Sequence, residues 1–313
     1  MKSELKRIPF STLEGVMVGN AQDDEAKTGV TVLYFPYTAS AGLDISGGGP
    51  ASRETPVLDP MCNNTPLNAL VFAGGSAYGL EASSGVMECL EQHGIGYDTG
   101  YALVPIVVQS DIYDLSYGSA SIRPDKAMGH LACSRALKKN DPRSGNVGAG
   151  TGATVGKILG IERAQKSGIG YAAYQLDNLV VGAVVVVNAL GDIYHRGKKI
   201  AGLTSEDHTG LADSATELFR KIQSPQPGTN TTIGAVITNA RFNNTQMRKI
   251  ASMARNAFAR CIRPVGTMFD GDTIYGISTS PHPIEADINI VGTLASDTME
   301  AAIADAIRKS RKD

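Results

Sequence analysis

Residues 228–240 read Gly-Thr-Asn-Thr-Thr-Ile-Gly-Ala-Val-Ile-Thr-Asn-Ala, and their apolar part at 231–238 predicts a buried strand. The preceding residues 223–228, Gln-Ser-Pro-Gln-Pro-Gly, form the most linker-like stretch of the chain. Two prolines and a glycine prevent a helix or a strand from continuing there. The bond between Asn230 and Thr231 is therefore expected where an exposed linker enters a buried strand.

Helices and strands alternate on the amino-terminal side of this junction, which predicts an α/β fold. The expected apolar strands there are 29–35, 67–72, 103–108 and 179–188, and the expected helices are 76–93, 123–139 and 209–222. Beyond the junction we expect strands at 231–238, 273–279 and 287–294, a helix near 245–260 and a terminal helix from about Ser296. This second part has the pattern of a compact unit joined at the linker.

The composition is that of an ordinary soluble globular protein of 313 residues, with 42% hydrophobic and 19% charged residues. A net charge of -2 gives no electrostatic reason to expect nucleic acid or an anionic membrane as a partner. No apolar run approaches the roughly 18 residues that a membrane span needs, and no signal-peptide pattern follows Met1. We therefore expect a cytoplasmic protein that acts on a small-molecule or oligomeric substrate.

The sequence contains no metal or cofactor signature. Its five histidines lack the spacing of a zinc site, and the cysteines (Cys62, Cys89, Cys133 and Cys261) have the pattern of buried free thiols. The glycine run from Gly145 to Lys157 is not a phosphate loop, because Thr151 and Ile158 stand where that motif needs Gly and Ser or Thr. We expect no cofactor and no metal. A Ser-His-Asp triad stays open, since its members need not be adjacent.

Thr231 has the chemistry that self-cleavage requires. Its hydroxyl can attack the preceding carbonyl, and the resulting ester is resolved by water, which leaves Thr231 with a free amine beside its own hydroxyl. An α-amino group with a pKa of roughly 7.7–8.0 can take the proton from that hydroxyl at neutral pH. The alternative is that Asn-Thr-Thr simply begins an ordinary strand.

Asp270 and Asp272 are separated by one glycine just before the predicted strand 273–279. Carboxylates at i and i+2 can face the same side, where they can orient a hydroxyl, hold a protonated amine or share a proton. An Asx-type turn or a Mg²⁺ site would use the same two residues.

Taken together, these segments resemble the self-processing aminopeptidases related to L-aminopeptidase D-Ala-esterase/amidase (DmpA), which include the β-peptidyl aminopeptidases and the nylon-oligomer (6-aminohexanoate oligomer) hydrolases. The resemblance covers nearly the whole chain. Its motifs are Thr28-Gly-Val-Thr-Val32, Gly47-Gly-Gly49 with Arg53-Glu-Thr55, Ala73-Gly-Gly-Ser-Ala-Tyr-Gly-Leu80, Ile112-Tyr-Asp114, Arg123-Pro-Asp-Lys126, the glycine run ending in Lys157, Asn230-Thr-Thr-Ile233 and Asp270-Gly-Asp-Thr273.

The resemblance implies a four-layer αββα sandwich of the N-terminal nucleophile hydrolase type, formed by residues 1–313 as one domain. It further implies self-cleavage into 1–230 and 231–313, two pieces that stay associated, and a tetramer of these processed heterodimers. Thr231 matches the family's nucleophile, and Asn188 matches the amide side chain that binds the oxyanion.

The remaining site residues also come from the resemblance. Asp270 and Asp272 match an acidic or hydroxyl pair near the nucleophile, and two aspartates with a threonine are similar to the nylon-oligomer branch. Lys157 and Tyr113 match positions that line the nylon-hydrolase site, where a lysine stabilises negative charge or adjusts the nucleophile's proton balance. Asp111 precedes Tyr113 where some aminopeptidases recognise the substrate amine.

The sequence therefore predicts a cofactor-free amidohydrolase that cuts nylon-type oligomers or short peptides. The main alternative is an aminopeptidase for L- or D-amino-acid amides, esters or β-peptides. An aminopeptidase needs a negative subsite for the substrate ammonium, whereas an internal cutter needs a cleft open on both sides of the bond. A non-processing structural or binding homologue and a nucleotide-binding protein built on the glycine run are further alternatives.

Overall fold

The computed structural model describes residues 4–63, 65–220 and 230–311. Its strands are β1 Leu5–Ile8, β2 Met17–Asp23, β3 Thr28–Tyr34, β4 Ala39–Ile45, β5 Ala51–Arg53, β6 Ala69–Ala73, β7 Tyr97–Asp98, β8 Leu103–Val104, β9 Val107–Asp111, β10 Thr154–Val155, β11 Gln165–Lys166, β12 Ile169–Leu176, β13 Leu179–Asn188, β14 Asp192–His195, β15 Lys198–Ala201, β16 Thr231–Thr238, β17 Ile262–Arg263 and β18 Thr273–Thr279. Its α-helices are α1 Ala82–Gln92, α2 Lys126–Lys138, α3 Ser214–Arg220, α4 Asn244–Ala254, α5 Asn256–Cys261 and α6 Ile288–Ser310.

Two sheets form the centre of the fold. The larger sheet has the order β1-β12-β13-β16-β18-β4, and all of its neighbours are antiparallel except β16 and β18, which run parallel. The smaller sheet has the order β2-β3-β6-β9-β5. Because β16 and β18 lie inside the larger sheet, between β13 and β4, the expectation of a separate compact unit after the linker is wrong.

Three hydrophobic clusters separate four layers. On the outer face of the larger sheet, Val181, Ala183 and Val185 of β13 pack in one cluster with residues of α4, α5 and α6. The inner faces of the two sheets pack together, and α1 and α2 cover the outer face of the smaller sheet. The order of layers is therefore αββα, as the resemblance implied.

Most of the expected elements are present, and one is wrong. Residues 287–294 do not form a strand, because α6 begins at Ile288 and continues to Ser310 as one helix. The Asp287 side chain caps it by accepting hydrogen bonds from the backbone N–H groups of Asn289 and Ile290. The β-branched residues that follow this cap imitate a strand in the sequence.

Other expectations need smaller corrections. The first part of the expected helix 76–93 is a 3-10 helix at Ser76–Glu81. The expected helix 209–222 begins only at Ser214, and its last two residues lie outside the described residues. The expected linker 223–228 lies outside the described residues. Cys62 is exposed, whereas the other three cysteines are buried free thiols.

Glycine allows two helices to approach the sheets closely. A Cβ atom on Gly170 of β12 would lie 2.1 Å from the carbonyl oxygen of Ala302 in α6. A Cβ atom on Gly19 of β2 would lie 2.2 Å from the carbonyl oxygen of Ala132 in α2. Since real Cβ atoms do not come this close to a backbone oxygen, any side chain at these positions must push the helix away from its sheet.

We predict that Gly170→Ala lowers the free energy of unfolding by about 1–3 kcal/mol, the usual cost of overpacking a well-packed interior. Gly210→Ala is the matched control, because a Cβ atom there would meet only the Ser205 hydroxyl, at 3.7 Å. Urea unfolding of both variants measures the difference. Equal stabilities would contradict the close packing of α6 on β12.

Candidate active site

The pairing of β13 with β16 brings Asn188 and Thr231 together at the end of the larger sheet. The two residues are direct partners in the antiparallel register, so their side chains project from the same face. Val186 and Ile233, two residues further along each strand, belong to the core between the sheets. Asn188 and Thr231 therefore face the inter-sheet layer, and both are buried.

The carbonyl group of Asn230 lies in contact with two donors. The Thr231 hydroxyl donates to its oxygen at 2.5 Å, and the backbone N–H of Gly271 donates to it at 2.9 Å. Gly271 is packed so tightly that a Cβ atom there would lie 2.8 Å from Thr231 Oγ1. A hydroxyl thus lies beside the carbonyl that precedes it, and a backbone donor is directed at the oxygen that would become negative during attack.

Asp272 and Asp270 are fixed by hydrogen bonds. Asp272 accepts hydrogen bonds from the backbone N–H groups of Thr232, at 2.6 Å, and Gly266, at 2.9 Å. Asp270 accepts from the backbone N–H of Thr267 at 2.9 Å and from the Thr267 hydroxyl at 2.6 Å. The contact with Thr232 ties one carboxylate directly to the residue that follows Thr231.

The glycine run at 47–49 supports this acidic turn from the other side. The backbone N–H of Gly47 donates to the carbonyl of Asp272 at 3.2 Å, and that of Gly49 donates to the carbonyl of Asp270 at 2.9 Å. A Cβ atom on Gly47 would lie 2.3 Å from the Asp270 carbonyl oxygen. The run is therefore rich in glycine because two backbone segments pass each other in contact.

Lys157 and Asn188 form the opposite side of the site. The Lys157 ammonium donates to the Asn188 backbone oxygen at 2.9 Å and to Oδ1 at 2.7 Å, while the Thr154 N–H donates to Oδ1 at 3.0 Å. The Asn188 amide nitrogen donates to the carbonyl of Tyr113 at 2.9 Å. An amide nitrogen carries two N–H donors, and the described residues accept a hydrogen bond from only one of them.

Burial shifts the pKa values of Asp272 and Lys157 towards neutral pH. It raises the pKa of Asp272 to about 7, with the neighbouring charge of Asp270 as the second cause. Burial also raises the pKa of Asp270. It lowers the pKa of Lys157 to about 7, against the opposing effects of Asp270, Asp114 and Asp272. Groups that exchange protons near neutral pH are suited to acid and base catalysis.

The structure brings five of the predicted site residues into this one cluster: Thr231, Asn188, Asp270, Asp272 and Lys157. Tyr113 joins it through its backbone carbonyl. Asp111 is fully buried, and its carboxylate accepts a hydrogen bond from the Gln109 amide at 2.7 Å. Its described contacts do not include the cluster, and the assigned roles of all seven residues remain predictions.

Sequence patterns assigned no role to the N–H of Gly271 and the N–H of Thr154, which contact the cluster, or to the carboxylate of Asp114, which acts electrostatically on Lys157. Gly271 lies between the two predicted aspartates, and Asp114 ends the motif Ile112-Tyr-Asp114. Backbone donors leave no trace in residue type, so only the fold reveals them.

Two features of the described residues bear on ligands and location. Within 4–63, 65–220 and 230–311, no three His, Cys, Asp or Glu side chains are grouped as a metal site would require. No helix in the same residues is long and apolar enough to cross a bilayer.

Comparison with known proteins places this chain among the hydrolases of peptide and amide bonds. It matches the family model of Peptidase family S58 over residues 11–312, and it belongs to this family. It is 35% identical over 308 residues to a protein of Mycobacterium leprae named as an uncharacterized aminopeptidase, a match that covers 92% of this chain and 83% of that protein. It is 32% identical over 312 residues to the 6-aminohexanoate-oligomer endohydrolase of Kocuria sp., a match that covers 94% of this chain and 84% of that protein.

A solved structure confirms the predicted fold class. The L-aminopeptidase D-Ala-esterase/amidase from Ochrobactrum anthropi, described as a variant of the Ntn hydrolase fold, superposes with a TM-score of 0.67. The match covers 94% of this chain and 84% of that one, at 18% identity. The resemblance stated from the motifs is confirmed at the level of family and fold.

The lowered pKa of Lys157 predicts how stability depends on pH. An unfolded lysine holds its proton up to a pH of about 10.4, whereas folding lowers the pKa of Lys157 to about 7. Between these values the folded chain binds fewer protons, so Lys157 adds ~1 kcal/mol to the free energy of unfolding per pH unit as the pH rises. This contribution is complete above the unfolded pKa and is lost as the pH falls through the folded pKa.

We therefore predict that Lys157→Met removes this slope between about pH 7.5 and 9.5, as measured by urea unfolding at several pH values. The raised pKa of Asp272 affects the free energy of unfolding at lower pH than Lys157 does, because the stability that it contributes is lost as the pH rises towards about 7. Lys198→Met, at an exposed lysine, is the control and keeps the parent slope. Equal slopes in parent and Lys157→Met would show that the ammonium is not buried in the folded chain.

Proposed function

We propose that this family S58 hydrolase cuts its own chain between Asn230 and Thr231 and then uses the Thr231 hydroxyl as the nucleophile for amide substrates. The observation that carries the proposal is the position of Thr231 Oγ1, at 2.5 Å from the Asn230 carbonyl oxygen. The N–H of Gly271 on the same oxygen, at 2.9 Å, supports it.

Self-cleavage follows from these contacts in two steps. The Thr231 hydroxyl loses its proton to a neighbouring base and attacks the Asn230 carbonyl carbon, while the Gly271 N–H stabilises the negative oxygen. The C–N bond then breaks, the Thr231 nitrogen takes up a proton, and an ester joins Asn230 to the threonine oxygen. Water hydrolyses this ester and leaves a carboxylate on Asn230 and a free amine on Thr231.

Turnover repeats the chemistry on another molecule. The free amine of Thr231 accepts the hydroxyl proton as the oxygen attacks a substrate amide, and the second N–H of Asn188 with the Lys157 ammonium stabilises the oxyanion. Asp270 and Asp272 hold the amine of Thr231 and share its proton as it passes to the leaving group. Water then releases the acyl group.

We predict that Thr231→Val leaves the chain intact and inactive, whereas Thr232→Val still splits. Both changes replace a hydroxyl by a methyl group of similar shape, so packing is disturbed equally. The Thr232 hydroxyl is buried and makes no hydrogen bond within the described residues, and its loss removes no chemistry. Denaturing gel electrophoresis after prolonged incubation shows whether each chain has split.

The same gel separates the alternatives. Splitting of Thr231→Val would exclude this threonine as the attacking group. A parent chain that never splits would favour the non-processing structural or binding homologue. A parent that splits and hydrolyses amides, with both properties absent from Thr231→Val, agrees with the proposal.

For the substrate we propose amide bonds within nylon-type oligomers or short peptides. Two aspartates beside a threonine support this choice by resemblance, and so does the relative named as a 6-aminohexanoate-oligomer endohydrolase. The state of Asp111 supports it as well. Complete burial raises the pKa of this carboxyl well above its ordinary value, so it is a poor site for a substrate ammonium.

The second candidate is an aminopeptidase, favoured by the relative of that name with 35% identity. A matched pair of substrates distinguishes the two: one 6-aminohexanoate oligomer with a free amine and the same oligomer acetylated at that amine. An internal cutter is expected to hydrolyse both with kcat/KM values within about tenfold, since a lost ammonium contact would cost more than ~1.4 kcal/mol. Activity confined to the free amine, with a raised KM in Asp111→Asn, would establish the aminopeptidase instead.

A further inference from the structure

Asp114 is a buried carboxylate that the proposed chemistry does not use. It is 4% exposed and directly follows Tyr113, whose carbonyl binds the Asn188 side chain. Its Oδ2 accepts a hydrogen bond from the Thr28 hydroxyl at 2.7 Å, and its Oδ1 accepts one from the backbone N–H of Gly75 at 2.7 Å. Both oxygens are thus held by donors that do not ionise in the working pH range.

Glycines on two sides make room for this carboxylate. A Cβ atom on Gly74 would lie 1.9 Å from Asp114 Oδ2, and a Cβ atom on Gly152 would lie 2.6 Å from the same oxygen. Neither position can carry a side chain while Asp114 keeps its place. One buried carboxylate therefore explains Gly74 and contributes to the need for glycine at 152, whereas Gly75 has a φ of +81°.

The glycine run connects Asp114 to the active site. Gly152 packs on Asp114, Thr154 donates to Asn188, and Lys157 binds Asn188 from the same stretch of chain. The Lys166 ammonium braces this stretch by donating to the carbonyls of Gly150, at 3.1 Å, and Ala153, at 2.9 Å. The same segment therefore packs on Asp114 and carries Lys157 to Asn188.

Charged groups from several segments act on Asp114 and Lys157. Asp114 and Lys157 act on each other, and Asp114 also acts on Lys166. Lys27 is a further cation that acts on Lys166. The carboxyl group of Asp111 is the acidic neighbour of Asp114, and Asp270 and Asp272 face Lys157 from the other side.

We propose that Asp114 is a positioning residue for Lys157: its buried carboxylate, next in the chain to the Tyr113 carbonyl that binds Asn188, supplies a negative charge that keeps the ammonium on Asn188. Asp270 and Asp272 exchange protons as the reaction proceeds, so their charge varies. The described hydrogen bonds of Asp114 go to Thr28 and Gly75 and not to the reacting atoms. Burial raises the pKa of its carboxyl, and these two hydrogen bonds oppose that effect by stabilising the charged form. The inference rests on the proposed function only in treating Lys157 as part of the site.

The test is a direct titration of Lys157 by NMR in protein labelled with ¹⁵N at the lysine side chains. The Thr231→Ala chain is used, so the measurement does not depend on cleavage, and the Lys157 signal is identified by its loss in Lys157→Met. Asp114→Asn is expected to lower the titration midpoint of Lys157 by ~1 pH unit, the effect of losing one nearby opposite charge. The amide keeps the shape of the carboxylate and an oxygen for the Gly75 N–H.

Asp305→Asn is the matched control, because Asp305 is a carboxylate that accepts hydrogen bonds from Ser144 and the Tyr171 N–H outside the site. In Asp305→Asn the titration midpoint of Lys157 is expected to equal that of the Thr231→Ala chain without a further change. Thr28→Val serves where Asp114→Asn does not fold. Loss of the hydroxyl donor raises the pKa of Asp114 further, so a smaller fraction of this carboxyl is charged while Lys157 titrates, and the midpoint of Lys157 falls by a smaller amount. An unchanged midpoint in the folded variant would overturn the proposal.

Failure of the proposed function can be distinguished from failure of the inference about Asp114. In the cleavable chain, a parent that never splits refutes self-cleavage and leaves the titration of Lys157 unaffected. Where the parent does split, the rate of amide hydrolysis is measured against pH. The limb of this profile that is absent from Lys157→Met is expected to move to lower pH in Asp114→Asn. A loss of rate with no movement of that limb would reduce Asp114 to a structural role and overturn the inference.

Discussion

The antiparallel pairing of β13 with β16 is the constraint on which the site depends. It places Asn188 opposite Thr231, on the face between the two sheets, and every other contact is built around that pair. Lys157 and the Thr154 N–H hold Asn188 from one side, and the Asp272 carboxylate holds the Thr232 N–H from the other. A shift of β16 by one residue in this register would turn the Thr231 side chain to the helical face and separate its hydroxyl from Asn188.

Close backbone approach is the second requirement, and it explains much of the glycine content. Gly271 brings its N–H to the Asn230 carbonyl without crowding Thr231, and Gly47 lets one loop cross the acidic turn in contact. Gly74 and Gly152 leave the space that Asp114 occupies. Because each of these positions meets backbone or a buried carboxylate, a side chain there would displace a neighbouring group and not only fill a void.

The sequence predicted the strands of the site better than the helices around it. The strands 179–188 and 231–238 have the predicted bounds, because a dense apolar run leaves a central strand few other possibilities. The strand predicted at 287–294 was wrong, because β-branched side chains outweighed the Asp287 cap that starts α6. The five clustered side chains followed from motifs, whereas Asp114 and the Gly271 N–H depend on which segments the fold brings into contact.

Covalent labelling tests the central claim most directly. An activated ester that acylates the nucleophile, followed by tryptic digestion, yields a peptide that runs from Thr231 to Arg241 only if the chain has been cut before Thr231. Mass spectrometry is expected to find this peptide with the acyl group on its first residue, where an ester on the threonine oxygen passes to the adjacent α-amine once the peptide is released. An acyl group on another residue, or a peptide that continues through Asn230 in active protein, would contradict the account.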